Sequence, residues 1–327
     1  MKLWKGLLCS SLAAVMLAAC GDADSKKGSS QEDVKQQESV EESGYPKKFV
    51  DGRGVEVVID EKPTRIVSTT LAVDEYLMDL TDVENILAVT QISTDAGISN
   101  VAGETEDIPN KLEKVTSEQV LALDPDLVIV PSYVDSNVLN QLDEAGITTY
   151  QVVDDSSFAG ILETVEVIGE IIGEEEKAAA VIEDFEERMA ALEEKAAEME
   201  TKKRVLYYTE YLSSVTDNTT IGEMIKLAGG INVVTEAGIS GDAYPDYPSI
   251  SKEVLVELNP EVIITTGWGA DGEEPAFVTE WKNDPALADV DAIKNNKVYV
   301  LDSANVTTAS HYVIEGAEDI QSVLAEQ

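Results

Sequence analysis

Residues 174–203 read EEEKAAAVIEDFEERMAALEEKAAEMETKK, and the fold turns on how this stretch is understood. Ala178, Val181, Ile182, Phe185, Met189, Leu192, Ala196 and Met199 recur at three- and four-residue steps. That spacing draws one apolar stripe down a single α-helix. The opposite face is Glu, Asp, Lys and Arg. Glu174, Glu175 and Glu176 stand at the positive end of the helix dipole, and Lys202, Lys203 and Arg204 at the negative end. A helix over 174–203 would be about 45 Å long, more than one small domain requires. It is either a long surface helix on one domain or a strut between two lobes, and the flanking sequence decides between them.

On both sides of the stretch, strands alternate with helices. Before it, strands are expected at 65–67, 86–89, 127–130 and 148–153, and helices at 74–80, 116–123, 138–145 and 157–172; a strand or hairpin over 52–59 precedes them all. After it come strands at 204–207, 262–266 and 298–301, with helices at 220–228, 251–258 and 311–325. This alternation predicts α/β architecture with mainly parallel sheets. Two segments also match each other. Thr116-Ser117-Glu118-Gln119-Val120-Leu121-Ala122-Leu123-Asp124-Pro125-Asp126-Leu127-Val128-Ile129 parallels Ser251-Lys252-Glu253-Val254-Leu255-Val256-Glu257-Leu258-Asn259-Pro260-Glu261-Val262-Ile263-Ile264. Their prolines are 135 residues apart, and the strand starts Arg65 and Arg204 are 139 apart. A near-constant offset supports a duplicated lobe, with the long helix as the strut between the copies.

The chain opens with Lys2 and Lys5, then an apolar run from Gly6 to Ala19 that is too short for an ordinary membrane span. It ends Leu17-Ala18-Ala19-Cys20, which resembles the lipobox of bacterial lipoproteins. The resemblance implies removal of residues 1–19 and lipidation of Cys20. Cys9 lies in the removed segment, so an acylated Cys20 would leave no thiol for a disulfide or for catalysis. Residues 20–44 are polar and charged, as expected of a disordered tether. The domain plan is then a lobe over 45–173, the linking helix over 174–203 and a lobe over 204–327.

The 327 residues hold 23 Lys and Arg against 64 Asp and Glu. The leader carries two of the bases and no acid, which leaves 21 bases and a net charge of −43. Such a surface argues against nucleic-acid binding and against electrostatic docking on anionic lipid. It suits high-salt or alkaline surroundings, and because the acids are spread along the chain they do not define a cation site.

The lipobox, Arg65-Ile66-Val67-Ser68, the paired helix–Pro–strand units, Gly229-Gly230-Ile231-Asn232 and the long helix together resemble the substrate-binding lipoproteins of ABC importers for ferric siderophores, haem and cobalamin. The resemblance implies two Rossmann-like lobes, a rigid helical link and one ligand in the cleft between them. It also implies a monomer, lipid-anchored outside the cytoplasm, that delivers its ligand to a permease dimer with its ATPase. Closure of the lobes is expected to be small, since a continuous helix resists bending.

Open α/β sheets bind ligands at the C-terminal ends of their strands. The candidate ligand residues there are Ser68, Thr69, Thr70 and Tyr133 in the first lobe, and Tyr207, Tyr208, Tyr211, Trp268 and Asn305 in the second. Tyr247 matches a position that carries a ligand-facing aromatic in cobalamin binders. Aromatic rings suit a flat macrocycle or the apolar rim of a chelate. Tyr207 and Tyr208 alternate on a strand, so only one of them can face a cleft. No arginine is placed to clamp carboxylate or catecholate oxygens. A neutral or cationic ligand is expected, either a hydroxamate-type ferric chelate or a corrinoid. His311, the single histidine, is read as a cap or packing residue rather than an axial ligand. One histidine argues against a bare zinc or manganese site. No resident cofactor is expected. No enzyme motif is present: there is no Gly-x-Ser-x-Gly elbow and no phosphate-cradling loop. The rival readings are a sensory or interaction protein on the same fold, or a free-metal binder. Glu118 and Glu253, each seven residues before its lobe's proline, occupy the positions that in the resembled family pair with arginines of the two permease subunits; their alternative role is helix capping and dipole stabilisation.

Overall fold

The strut forms from Glu175 to Glu198 in a computed structural model that describes residues 44–154, 156–267 and 274–325. Its 24 residues span about 36 Å. The helix is shorter than the sequence pattern suggests. Met199 is already extended, with its N–H closing on Ala196 O. The apolar stripe runs out at Met199, and nothing in Glu200-Thr201-Lys202 can hold a further turn against the core. Lys202, Lys203 and Arg204 therefore lie beyond the helix, and Lys195 is the base in its last turn.

Strands β1 (Lys47–Val50) and β2 (Glu56–Ile59) pair as an antiparallel hairpin. The first lobe contains β3 (Ile66–Ser68), β4 (Ile86–Thr90), β5 (Asn110–Leu112), β6 (Leu127–Val130) and β7 (Thr149–Gln151). They form a parallel sheet in the order β5-β4-β3-β6-β7. The second lobe contains β8 (Arg204–Tyr207), β9 (Ile231–Asn232), β10 (Val262–Thr266) and β11 (Val298–Leu301), also parallel, in the order β9-β8-β10-β11. Read from its first strand, each lobe follows the same plan, and the first lobe adds β5 at one edge. The short strands β5 and β9 carry too few apolar residues to stand out as strands in the sequence.

The duplication reaches individual contacts. Arg65 donates to the carbonyls of Leu123 and Asp124, and its backbone N–H to Asp126. Arg204 donates to the carbonyl of Asn259, and its backbone N–H to Glu261. Asp124 and Asn259, each just before a proline, both adopt a left-handed backbone, with φ of 51° and 44°. In each copy a strand-leading arginine fastens the turn that carries the helix–Pro–strand unit.

Both faces of each sheet are covered, and the strands alternate accordingly. Ile66, Leu127, Ile129, Val205, Tyr207, Val262 and Ile264 face one continuous core that both lobes share with the strut. Val67, Val128 and Val130 face a separate core in the first lobe, and Leu206, Tyr208 and Ile263 one in the second.

The strut is held along its length. Helix Phe158–Ile172 ends at Gly173, whose left-handed φ of 66° lets the chain double straight back into the strut. A Cβ on Gly169 would stand 2.4 Å from the Cβ of Ala178, so these two helices touch backbone to side chain. Phe185 packs edge-on against Phe158 at 5.5 Å. Helix Val313–Ala325 braces the other end. Arg188 donates twice to Glu318, at 2.9 and 2.6 Å, and Gln321 donates to Leu192 O at 2.9 Å.

Candidate functional site

The loops at the C-terminal ends of the strands are built unequally. In the first lobe, Ser68 and Thr69 are buried. Ser68 Oγ donates to Thr70 O and Thr69 Oγ1 to Ile129 O, so both hydroxyls fasten the loop. Thr70 is half-buried, and its hydroxyl lies 3.4 Å from that of Tyr133, which is 76% exposed. Of the four first-lobe candidates, Thr70 and Tyr133 are thus brought together on an open face. Beneath them lies Asp74, fully buried, which accepts from Thr90 N and from Thr90 Oγ1. Burial raises its pKa to about 7, against the hydrogen bonds from Ser68 and Thr90.

In the second lobe Tyr207 and Tyr208 alternate as expected, yet neither faces open space. Both are buried. The Tyr207 hydroxyl lies 3.4 Å from Thr266 Oγ1. Tyr208 donates to Ile250 O and packs on Trp281, with centroids 4.8 Å apart. The sheet is covered on both sides at this point, so alternation only decides which core each ring fills. The loop beyond β8 carries the exposed ring instead, on Tyr211 at 81% exposure. Tyr247 is 58% exposed, in a loop tied to the β8 loop. Ser214 N–H donates to Pro248 O and Thr216 N–H to Asp246 O. The Asp246 carboxylate also accepts from Thr216 Oγ1 and Asn218, which lowers its pKa. These bonds hold Tyr247 on a defined loop. Tyr244, 73% exposed in the same loop, escaped the sequence reading; its recurrence three residues before Tyr247 in a Gly- and Pro-punctuated stretch was the available signal. Asn305 is half-buried and donates to Asp319 at 2.8 Å. Trp268 lies outside the described residues.

A cavity of about 490 Å³ opens between the lobes, where Ala96 and Gly97 of the first lobe face β11, Asp302 and Ser303. Gly267 and Glu274 stand at its edge.

All four arginines are committed elsewhere. Arg53 pairs with Asp51 and Asp143, Arg65 with two carbonyls, Arg188 with Glu318 and Arg204 with Glu236. His311 lies at the junction of the lobes. Its Nε2 is 2.8 Å from Asp79 Oδ2, and its ring stacks on Tyr76 at 5.8 Å. Burial would raise the pKa of Asp79, but the hydrogen bonds from His311 and Tyr312 and the imidazole charge hold it low. Helix Val313–Ala325 begins two residues after His311, and the buried Nδ1 of that ring has no hydrogen-bond partner among the described residues.

The same junction holds a polar contact that the sequence did not announce. Glu75, fully buried on helix Leu71–Leu80, accepts four hydrogen bonds. Oε1 takes the backbone and side-chain N–H groups of Asn100, each at 3.0 Å. Oε2 takes the hydroxyls of Thr308 and Ser310, each at 2.5 Å, from the second lobe. Asn100 also donates to Ala304 O, and Tyr76 to Ala309 O.

Glu118 and Glu253 are exposed in the first turns of helices Ser117–Ala122 and Lys252–Leu258. The caps are Thr116 and Ser251, whose side chains accept from Gln119 N and Val254 N. The Glu253 carboxylate also accepts from its own backbone N–H and from Ser251, which lowers its pKa and gives it a part in the helix start.

A sequence model described as "Periplasmic binding protein" matches residues 66–304. An "Uncharacterized ABC transporter substrate-binding lipoprotein YvrC" of Bacillus subtilis is 28% identical over 329 residues, covering 97% of this chain and 95% of that protein. A "Cobalamin-binding protein" of Halobacterium salinarum is 28% identical over 222 residues, 68% of this chain and 58% of its own length. The apo form of "Periplasmic heme-binding protein RhuT" from Roseiflexus sp. RS-1 superposes with a TM-score of 0.67 at 22% identity, covering 80% of this chain and 97% of that one; at this identity the likeness speaks for the fold.

Proposed function

Because the chain belongs to the periplasmic binding protein family, we propose that it is an extracytoplasmic carrier for an ABC importer, holding a hydroxamate-type ferric chelate or a corrinoid between its lobes. The observation that carries the ligand class is the pairing of exposed Tyr133, Tyr211 and Tyr247 at strand-end loops with four arginines already committed elsewhere. Tyrosine faces give area and a polar tip to a large neutral ligand. An anionic catecholate would find no bidentate guanidinium. Cys20 anchors the carrier to the membrane through lipid, and residues 21–44 serve as its tether. Glu118 and Glu253 dock one lobe each on the two halves of the permease by pairing with arginine, which sets orientation and association rate.

The test is tryptophan-fluorescence titration of the full chain with ferric hydroxamates, ferric catecholates, haem and cobalamin. A hydroxamate or cobalamin should bind tightest. Replacing Tyr247 or Tyr133 by Ala should weaken that ligand by roughly 1–3 kcal/mol. Tightest binding of a catecholate, or of bare zinc, would refute the ligand class. Independently, Glu118→Ala with Glu253→Ala should cut uptake severely and leave ligand affinity intact; full uptake would remove the docking assignment.

A further inference from the structure

The two helix–Pro–strand units agree in more than their glutamates. Thr116 and Ser251 cap, Val120 and Leu255 are buried, and Asp124 and Asn259 turn, each pair separated by 135 residues. Those agreements serve the fold. Positions that are not fully buried should be freer to diverge, and several have done so. Ser117 stands against Lys252, Gln119 against Val254 and Ala122 against Glu257. Besides the caps Thr116 and Ser251, two pairs exposed in both helices have kept their character. One is Glu118 and Glu253. The other is Leu121 and Val256, which are 37% and 41% exposed.

Leu121 follows Glu118 by three residues, and Val256 follows Glu253 by three, so on each helix the apolar residue sits one turn along the face that carries the acid. A single exposed aliphatic residue is ordinary. The distribution here is not. Among the described residues, eleven large hydrophobics are exposed. Val50, Val55 and Val58 belong to the N-terminal hairpin, and Tyr133, Val153, Tyr211, Leu212, Tyr244 and Tyr247 to loops at or beside the strand ends. Leu121 and Val256 are the remaining two, and they are the same position of the duplicated unit. In a chain with 64 acids, a polar residue at either place would cost the core nothing.

We propose that Leu121 and Val256 are apolar docking contacts, one per lobe, that seat in the same permease partner as Glu118 and Glu253; this rests on the docking reading given above. A partner that meets both lobes at equivalent positions must itself be two-fold. To complement this strongly acidic chain, each of its halves must present a basic group beside an apolar socket. The acid and the apolar residue then divide the work. The charge steers approach and is weakened by salt. The aliphatic contact, dry once seated, governs how long the complex lasts and is insensitive to salt.

The experiment measures association and dissociation of the purified ligand-free chain on its permease–ATPase complex in lipid nanodiscs, at low and high salt. Leu121→Ser with Val256→Ser should dissociate about tenfold faster, the scale of losing a well-seated aliphatic contact, with association rate and salt dependence unchanged. Glu118→Ala with Glu253→Ala should instead slow association and flatten its salt dependence. The exchange variant Leu121→Val with Val256→Leu should behave as wild type. Thermal melting should show every variant fully folded at the assay temperature, with the serine variant lowered modestly because Leu121 and Val256 are each partly covered. If the serine variant docks like wild type while the glutamate variant does not, the apolar contact is refuted and the docking reading stands. If both dock like wild type, the docking reading falls and takes the proposal with it. If sedimentation shows that the serines abolish a self-association of the wild-type chain, the face belongs to a second copy and the proposal is overturned.

Discussion

Replacing Glu75 by Ala tests whether the buried polar contact at the junction holds the lobes together. The substitution removes the acceptor of four hydrogen bonds, but the four donors do not suffer equally. Thr308 Oγ1 already lies 3.0 Å from Ser310 Oγ, so the two hydroxyls can satisfy each other by rotation. The side-chain amide of Asn100 keeps its bond to Ala304 O. The backbone N–H of Asn100 keeps nothing, but Asn100 is only half-buried, so the loss costs about 1 kcal/mol, the low end for an unpartnered donor. Loss of the charge-assisted bonds and of the side-chain methylenes adds about 2 kcal/mol. The expected destabilisation is therefore about 3 kcal/mol, less than four full charge-to-neutral hydrogen bonds would give and still a large part of an ordinary domain's stability. Glu75→Gln should cost only about 1 kcal/mol, because its oxygen can stay on Asn100 while its amide donates to hydroxyls that can turn round to accept. Urea denaturation of both variants gives these numbers, and hydrogen exchange at the Asn100 amide locates the change. A loss below about 1 kcal/mol for Ala, or an equal loss for Gln and Ala, would refute the reasoning.

Two further predictions concern the same body. The folded-state pKa of Asp74, about 7, lies above its unfolded value, so the folded chain holds this proton more tightly. The stability it contributes is complete below about pH 4 and is lost as pH rises towards 7; Asp74→Asn should flatten that part of the pH–stability curve by on the order of 2–4 kcal/mol, and parallel curves for variant and wild type would sink the assignment. Gly169→Ala would push a methyl into Ala178 and should destabilise by about 1–3 kcal/mol, with Ala178→Gly restoring most of the loss in the double variant; additive melting shifts would show that the two helices do not meet as described.

Much of the fold was legible because it rests on periodicity. The stripe from Ala178 to Met199 marked the strut, and the runs at Leu127 and Val262 marked strands buried on both faces. The matching units around Pro125 and Pro260 exposed the duplication, and the structure extends it to the caps Thr116 and Ser251. The end of the strut was not legible. Charge at Lys202 and Lys203 favours a helix terminus wherever one occurs, but only packing decides where it occurs. Strands β5 and β9 were missed because Asn110-Lys111-Leu112 and Ile231-Asn232 hold one apolar residue each, too few to stand out. At the candidate site, sequence placed the loops well and the side chains less well. Tyr207 and Tyr208 look like ligand residues by type, yet the sheet's two covers claim both rings. Glu75 looked like one acid among many, since nothing local shows that Asn100, Thr308 and Ser310 converge on it from distant parts of the chain.

The clamped strut also bears on supply and demand at the membrane. Its first turns are wedged against Gly169 and its later turns are pinned by Glu318 and Gln321, so the helix acts as a fixed gauge between the two lobes. If docking uses one contact point per lobe, as proposed above, a carrier whose gauge does not change would show a permease the same pair whether it is empty or full. Empty carriers then occupy permeases that loaded carriers need. Uptake should rise with carrier abundance only while ligand is plentiful, then decline as unloaded copies crowd the entrance, and a cell relying on such a carrier gains by matching its numbers to the ligand at hand.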